Sequence, residues 1–137
     1  MRKYIFIALA IAFMSIPINA RCADARLIAN VLYAEARGES RDGQLMVAQT
    51  ILDRLGDGRW GDTIYDVVHA PGQYVISRRS TEELLDVAQA ALDGERYRHD
   101  YIILFFRISQ HDRDWWAPLL GRVGVHAYYG YGRMLYG

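Results

Sequence analysis

Apolar positions recur every three or four residues along three stretches of this chain, and each stretch predicts a helix with one buried face. Leu27, Ile28, Val31, Leu32 and Ala34 mark the first, with Asp24 as the expected N-cap of a helix through about Ala36. Ser40 or Asp42 caps a second helix running to about Leu55. Its stripe of Leu45, Val47, Ala48, Ile51, Leu52 and Leu55 is wide, so this is the expected central helix, ended by Gly56-Asp57-Gly58. The third runs from Thr81 to Leu92, with an acidic first turn and Gly94 as its stop. Between the second and third, Asp62 is the expected cap of a short helix over Thr63–His69, and Gln73–Ile76 reads as extended.

After Tyr97 the period changes. Tyr101–Phe106 is β-branched and aromatic, the pattern of a buried strand, and Val123–Tyr129 is a second strand candidate. Gln110–Asp114 is a polar loop before Trp115-Trp116, and Gly130–Gly137 is a tail rich in Gly and Tyr. The fold class that follows is α+β, mainly helical with a small β-sheet near the C-terminus. A length of 137 residues allows one domain.

The first residues have a different character. Met1-Arg2-Lys3 is positive, Tyr4–Ile16 is apolar apart from Ser15, and Pro17, Asn19 and Ala20 follow. This order predicts a secretory signal peptide over residues 1–23, with processing after Ala20 or Ala23 and a domain over 24–137. The other reading is an uncleaved anchor, and only then is a membrane a partner. Arg21 before Cys22 argues against a lipoprotein site. Export in either form places the domain in the periplasm or outside the cell, away from nucleotide cofactors.

Composition narrows the chemistry. Hydrophobic residues make up 52% and charged residues 23%, a foldable balance. Basic and acidic residues number 16 each, without the basic stripe of a nucleic-acid binder. A lone cysteine, Cys22, rules out an internal disulfide and Cys-pair metal sites. His69, His99, His111 and His126 show no tight metal spacing, so neither metal nor cofactor is expected. A monomer is the expected state. Ten Tyr and three Trp supply flat apolar faces with polar handles, which suit sugar rings as well as ordinary packing.

The candidate chemistry lies at the elbow between the first two helices, Tyr33-Ala34-Glu35-Ala36-Arg37-Gly38-Glu39. Glu35 follows Val31 by four positions and Leu32 by three, so it falls on or beside the apolar face. A carboxyl group desolvated there favours its protonated form, which a proton donor to a glycosidic oxygen needs. The competing reading is a helix-end residue paired with Arg37 or another Arg, and spacing alone does not separate the two. Glu39 is expected to close the elbow through backbone donors or an Arg. Asp62, Asp66, Asp112 and Asp114 have cap or loop explanations and leave no obvious second catalytic carboxylate.

Taken together, several pieces resemble the SleB-type cell wall hydrolases, the catalytic domain of spore cortex-lytic enzymes. These are VLYAEARGE (Val31–Glu39), Gly43-Gln44, VAQ (Val47–Gln49) and ILDR (Ile51–Arg54), then Gly72-Gln73-Tyr74 and the Ala88–Leu92 helix with Gly94. Leu104–Phe106, Trp115 or Trp116, and GVHAYY (Gly124–Tyr129) complete the series in family order. Arg107-Ile108 stands where the family often has Asn-Pro, which bears on one wall of the cleft, and Gln73-Tyr74 replaces Gln-Phe.

The resemblance implies a lysozyme-like domain that cleaves peptidoglycan glycan strands without a cofactor, in characterised members as a lytic transglycosylase. It places the catalytic glutamate at Glu35 and substrate contacts at Gln73, Phe106, His126 and Tyr129. One carboxylate suffices for such a reaction. The acid protonates the oxygen between N-acetylmuramic acid and N-acetylglucosamine. As a base it then assists the muramic 6-hydroxyl to close a 1,6-anhydro ring. A hydrolase usually needs two carboxylates at a defined separation. The rival expectation is a non-catalytic peptidoglycan-binding protein or a membrane-tethered envelope protein.

Overall fold

A computed structural model describes residues 18–108 and 117–132 of the chain, and over these it shows four helices followed by a three-stranded antiparallel sheet. The helices are α1 (Ile18–Ala36), α2 (Arg41–Asp57), α3 (Ile64–His69) and α4 (Glu82–Leu92). The strands are β1 (Tyr101–Ile108), β2 (Leu119–Val123) and β3 (His126–Gly132), in the order β1-β3-β2. This is the expected α+β class, with the sheet near the C-terminus. The apolar run before Ile18, the loop Gln110–Asp114, Trp115, Trp116 and the tail beyond Gly132 lie outside the described residues.

Local sequence explains most element boundaries. Ser40 caps α2 by accepting from the Gly43 amide at 3.3 Å, and Thr81 caps α4 by accepting from the Leu84 amide at 3.2 Å. Two expected caps differ. Asp24 lies inside α1, because Ala20–Ala23 contains no glycine or proline to stop the helix and Arg21 pairs with Asp93 at the end of α4. The short helix is capped by Thr63, not Asp62, through a reciprocal box in which the Asp66 carboxylate returns to the Thr63 amide at 3.1 Å. Gln73–Ile76 forms a turn and irregular chain, not a strand. The second strand candidate is divided: Gly124-Val125 turns the chain, so β2 ends at Val123 and β3 begins at His126.

The core joins α1, α2 and α4, with Ile28, Val31, Leu32, Met46, Val47 and Ile51 fully enclosed. Each such side chain stabilises the fold by about 1.5–3 kcal/mol relative to exposure. Helix α2 is central, as expected, but its burial exceeds the apolar stripe. Leu52 and Leu55 are half-buried, whereas Gln49, Asp53 and Arg54 are buried.

Those polar side chains serve β1, which lies at one edge of the sheet. Gln49 accepts from the Arg98 amide at 3.1 Å and donates to the Arg98 and Tyr101 carbonyls at 2.8 and 3.1 Å. Asp53 accepts from the Ile103 amide at 2.8 Å, and Arg54 Nε donates to the Leu104 carbonyl at 2.7 Å. One face of α2 therefore supplies the hydrogen bonds that a further strand would make, and this fixes the sheet against the helices.

Candidate active site

Glu35 sits in the last turn of α1, half-buried. Its Oε1 accepts from the Val75 amide at 2.7 Å, so the carboxyl group is held by the loop that follows α3. The same loop is tied to α1 again where the Ser77 amide donates to the Asn30 carbonyl at 3.1 Å. Arg37 does not pair with Glu35. It donates to the Tyr33 carbonyl at 3.1 Å and lies over the Tyr33 ring at 5.2 Å.

Tyr74, next to the Val75 donor, braces this loop. Its ring stacks under the Arg54 guanidinium at 4.9 Å and meets Phe106 at 6.0 Å. Arg54 lies in turn against Trp60 at 4.8 Å and Phe105 at 5.4 Å. Burial pushes the Tyr74 phenol well above its usual range, and the nearby Glu35 and Asp53 carboxylates act in the same direction. This Arg-aromatic cluster was not foreseen as part of the site. Its signal in the sequence was only an arginine inside a predicted buried helix.

Phe106 continues the chain of contacts to His126, edge-to-face at 5.2 Å. His126 opens β3 and is 3% exposed, and its Nδ1 is buried without a partner. Burial pulls its pKa below the ordinary histidine value, while the Glu39 and Glu35 carboxylates oppose that shift. A chain of contacts thus links Glu35, through the Tyr74-Val75 loop, to Phe106 and His126, and Gln73 stands in the turn just before that loop. Gln73 Nε2 donates to the Pro71 carbonyl at 3.2 Å.

Tyr129 lies outside this chain of contacts. Strand alternation separates it from His126 and Tyr128, which face the helices. Tyr129 packs instead with Ala117, Ala127 and Phe105 on the other face of the sheet. Glu39 also departs from expectation. Its backbone closes the elbow, the amide donating to the Ala36 carbonyl at 3.0 Å and the carbonyl accepting from Gln44 Nε2 at 3.2 Å. Its carboxylate meets neither a backbone donor nor an Arg among the described residues; it lies against Gly124 in the β2–β3 turn.

The geometry is therefore a carboxyl group anchored by an amide, an aromatic brace, and a buried imidazole beside a second carboxylate. The sequence profile of the cell wall hydrolases matches residues 38–129, well over half of the chain. This chain belongs to the cell wall hydrolase family. The match covers Glu39, Gln73, Phe106 and His126 and starts three residues after Glu35.

Relatives within this cell wall hydrolase family agree. The spore cortex-lytic enzyme of Oceanobacillus iheyensis is 46% identical over 48 residues, which is 35% of this chain and 17% of that enzyme. The spore cortex-lytic enzyme of Bacillus subtilis is 28% identical over 117 residues, covering 77% of this chain and 37% of that enzyme. The chain thus spans well under half the length of these curated relatives. Among solved structures, the catalytic domain of Bacillus cereus SleB superposes with a TM-score of 0.68 at 24% identity, over 77% of this chain and 88% of that domain. The catalytic domain of the germination-specific lytic transglycosylase SleB from Bacillus anthracis gives 0.68 at 23% identity, over 77% and 93%. At these identities the two structures show a shared fold.

Proposed function

We propose that this chain is an exported peptidoglycan-cleaving glycosidase in which Glu35 is the general acid and then the base. The observation that carries this reading is the anchored Glu35 carboxyl group: half-buried, held by the Val75 amide and not neutralised by Arg37. A group held at one oxygen keeps the other for a substrate atom, as proton transfer requires. Family membership and the names of the relatives supply the substrate class.

The reaction proposed is lytic transglycosylation. Glu35 protonates the leaving glycosidic oxygen of the bond between N-acetylmuramic acid and N-acetylglucosamine. The deprotonated group then takes the proton of the muramic 6-hydroxyl as that oxygen bonds to C1, giving a 1,6-anhydro end. In this reading Phe106 and Gln73 contact the glycan near Glu35, and export by the N-terminal segment brings the enzyme to the wall.

The test is to incubate the purified full chain with peptidoglycan and weigh the released fragments by mass spectrometry. Anhydro-muramic ends support the proposal, while reducing muramic ends reassign the reaction to hydrolysis. Undiminished release by Glu35→Gln refutes the assignment of the acid.

A further inference from the structure

The Glu39 side chain has been given room without being given a partner. The elbow is held by its backbone alone, through Ala36 and Gln44. Its stem passes over Gly43 in the first turn of α2, where an added Cβ would stand 2.9 Å from the Glu39 Cβ. Its carboxylate rests on Gly124 in the β2–β3 turn, where a Cβ would stand 1.6 Å from Oε2. Two glycines from distant parts of the chain thus clear the space it occupies. The nearby arginines are engaged elsewhere, Arg37 with Tyr33 and Arg41 with Glu95. No described residue donates a hydrogen bond to this carboxylate.

Near enough to feel its charge is His126, 3% exposed, with a buried Nδ1 that also lacks a partner. A buried polar atom left unpaired costs about 1–3 kcal/mol, so such atoms call for an explanation in a ligand or water. An acceptor-only carboxylate with an unpaired, buried imidazole nitrogen behind it suits a ligand rich in hydroxyl and amide groups. A carbohydrate is such a ligand.

We propose that Glu39 is a substrate-contacting carboxylate, accepting a hydrogen bond from a hydroxyl or amide N–H of the sugar bound beside Glu35, with the buried His126 imidazole behind it. The inference rests on the glycan reading above and deepens it. It involves no bond-breaking step by Glu39. The carboxylate binds and orients the sugar whose glycosidic oxygen Glu35 protonates.

The test separates binding from turnover. In the full chain carrying Glu35→Gln, the affinity of an N-acetylglucosamine–N-acetylmuramic acid tetrasaccharide is measured by calorimetry, with Glu39 intact and with Glu39→Ala or Glu39→Gln. Glu39→Ala weakens binding about tenfold or more, the loss expected for one partner of a charge-assisted hydrogen bond. Glu39→Gln, nearly the same shape, weakens it less, and both variants melt within about 3 °C of the parent. In the chain with Glu35 intact, Glu39→Ala raises KM. Equal affinity with and without the Glu39 carboxylate overturns the proposal, as does a loss of affinity that appears only together with a large fall in Tm. If no variant binds the tetrasaccharide, the glycan reading fails along with this inference. Binding that ignores Glu39 sinks this inference alone.

Discussion

The Val75 amide reaches the Glu35 carboxylate at 2.7 Å across 40 positions of sequence. The contact fixes one oxygen of the carboxyl group with a main-chain donor, which side-chain changes at Val75 leave in place. Val75 is itself 65% exposed, so its side chain contributes little to the core. Val75→Pro deletes the donor and should lower activity on peptidoglycan at least about tenfold, the scale of a hydrogen bond to a charged group. Val75→Ala should retain near-parent activity. Equal rates in the two variants, measured by turbidity loss of peptidoglycan, would remove the anchor from the mechanism.

Tyr74 carries the loop that presents this amide. Its ring fills the gap between Arg54 and Phe106, and Tyr74→Ala should destabilise the protein by about 3–5 kcal/mol, as for other large-to-small changes at packed aromatic sites. Tyr74→Phe keeps the ring and removes a phenol oxygen that has no partner, so it should cost far less. Urea unfolding of the two variants checks the ordering.

Gly124 and Glu39 should show modest energetic coupling, because the carboxylate is the far end of a flexible side chain, unpartnered among the described residues. An alanine at Gly124 meets two obstacles: a backbone at φ +54° and the Glu39 carboxylate 1.6 Å from the new Cβ. The first costs about 1–2 kcal/mol by itself. Gly124→Ala should therefore cost more than that in the parent and fall to about that value in a Glu39→Ala background. A double-mutant cycle in chemical denaturation reads the difference, and additive effects would show that the carboxylate moves aside freely.

Asp53 should be among the most sensitive positions away from the candidate site. Its buried carboxylate accepts from the Ile103 amide at 2.8 Å and from Gln49 at 3.2 Å. Asp53→Ala leaves the amide of β1 without its acceptor and should destabilise by about 1–3 kcal/mol, with further loss from the cavity. Faster amide exchange at Ile103 than in the parent is the local signature.

His126 makes stability depend on pH. Burial depresses its pKa in the folded state, with Glu39 and Glu35 opposing. The unfolded chain therefore takes up the proton first as pH falls below the ordinary value of about 6.5. The contribution is whole above that pH and declines as pH drops from there through the depressed folded value. His126→Asn should flatten the Tm profile in that window, and an unchanged slope would assign the dependence to other groups.

How much was legible beforehand follows from the range of each interaction. The helices α2 and α4, their caps at Ser40 and Thr81, and β1 were readable because periodicity and capping act within a few residues. The elbow with Glu35 was readable as a motif for the same reason. Asp24 misled because a good capping residue does not start a helix when the residues before it are helical too. Tyr129 could not be assigned a face, since two residues of turn at Gly124-Val125 set the parity of β3 and leave no local mark.

The sequence by itself therefore determined the helical framework, the position of the acidic elbow and the family, because these rest on short-range pattern. The tertiary structure alone decided what each carboxylate meets. Glu35 is paired with an amide 40 positions away, and Glu39 is laid on a glycine of a hairpin at the other end of the domain. Both outcomes depend on how α1, α2 and the sheet pack, a relation between distant segments that no local run of residues encodes.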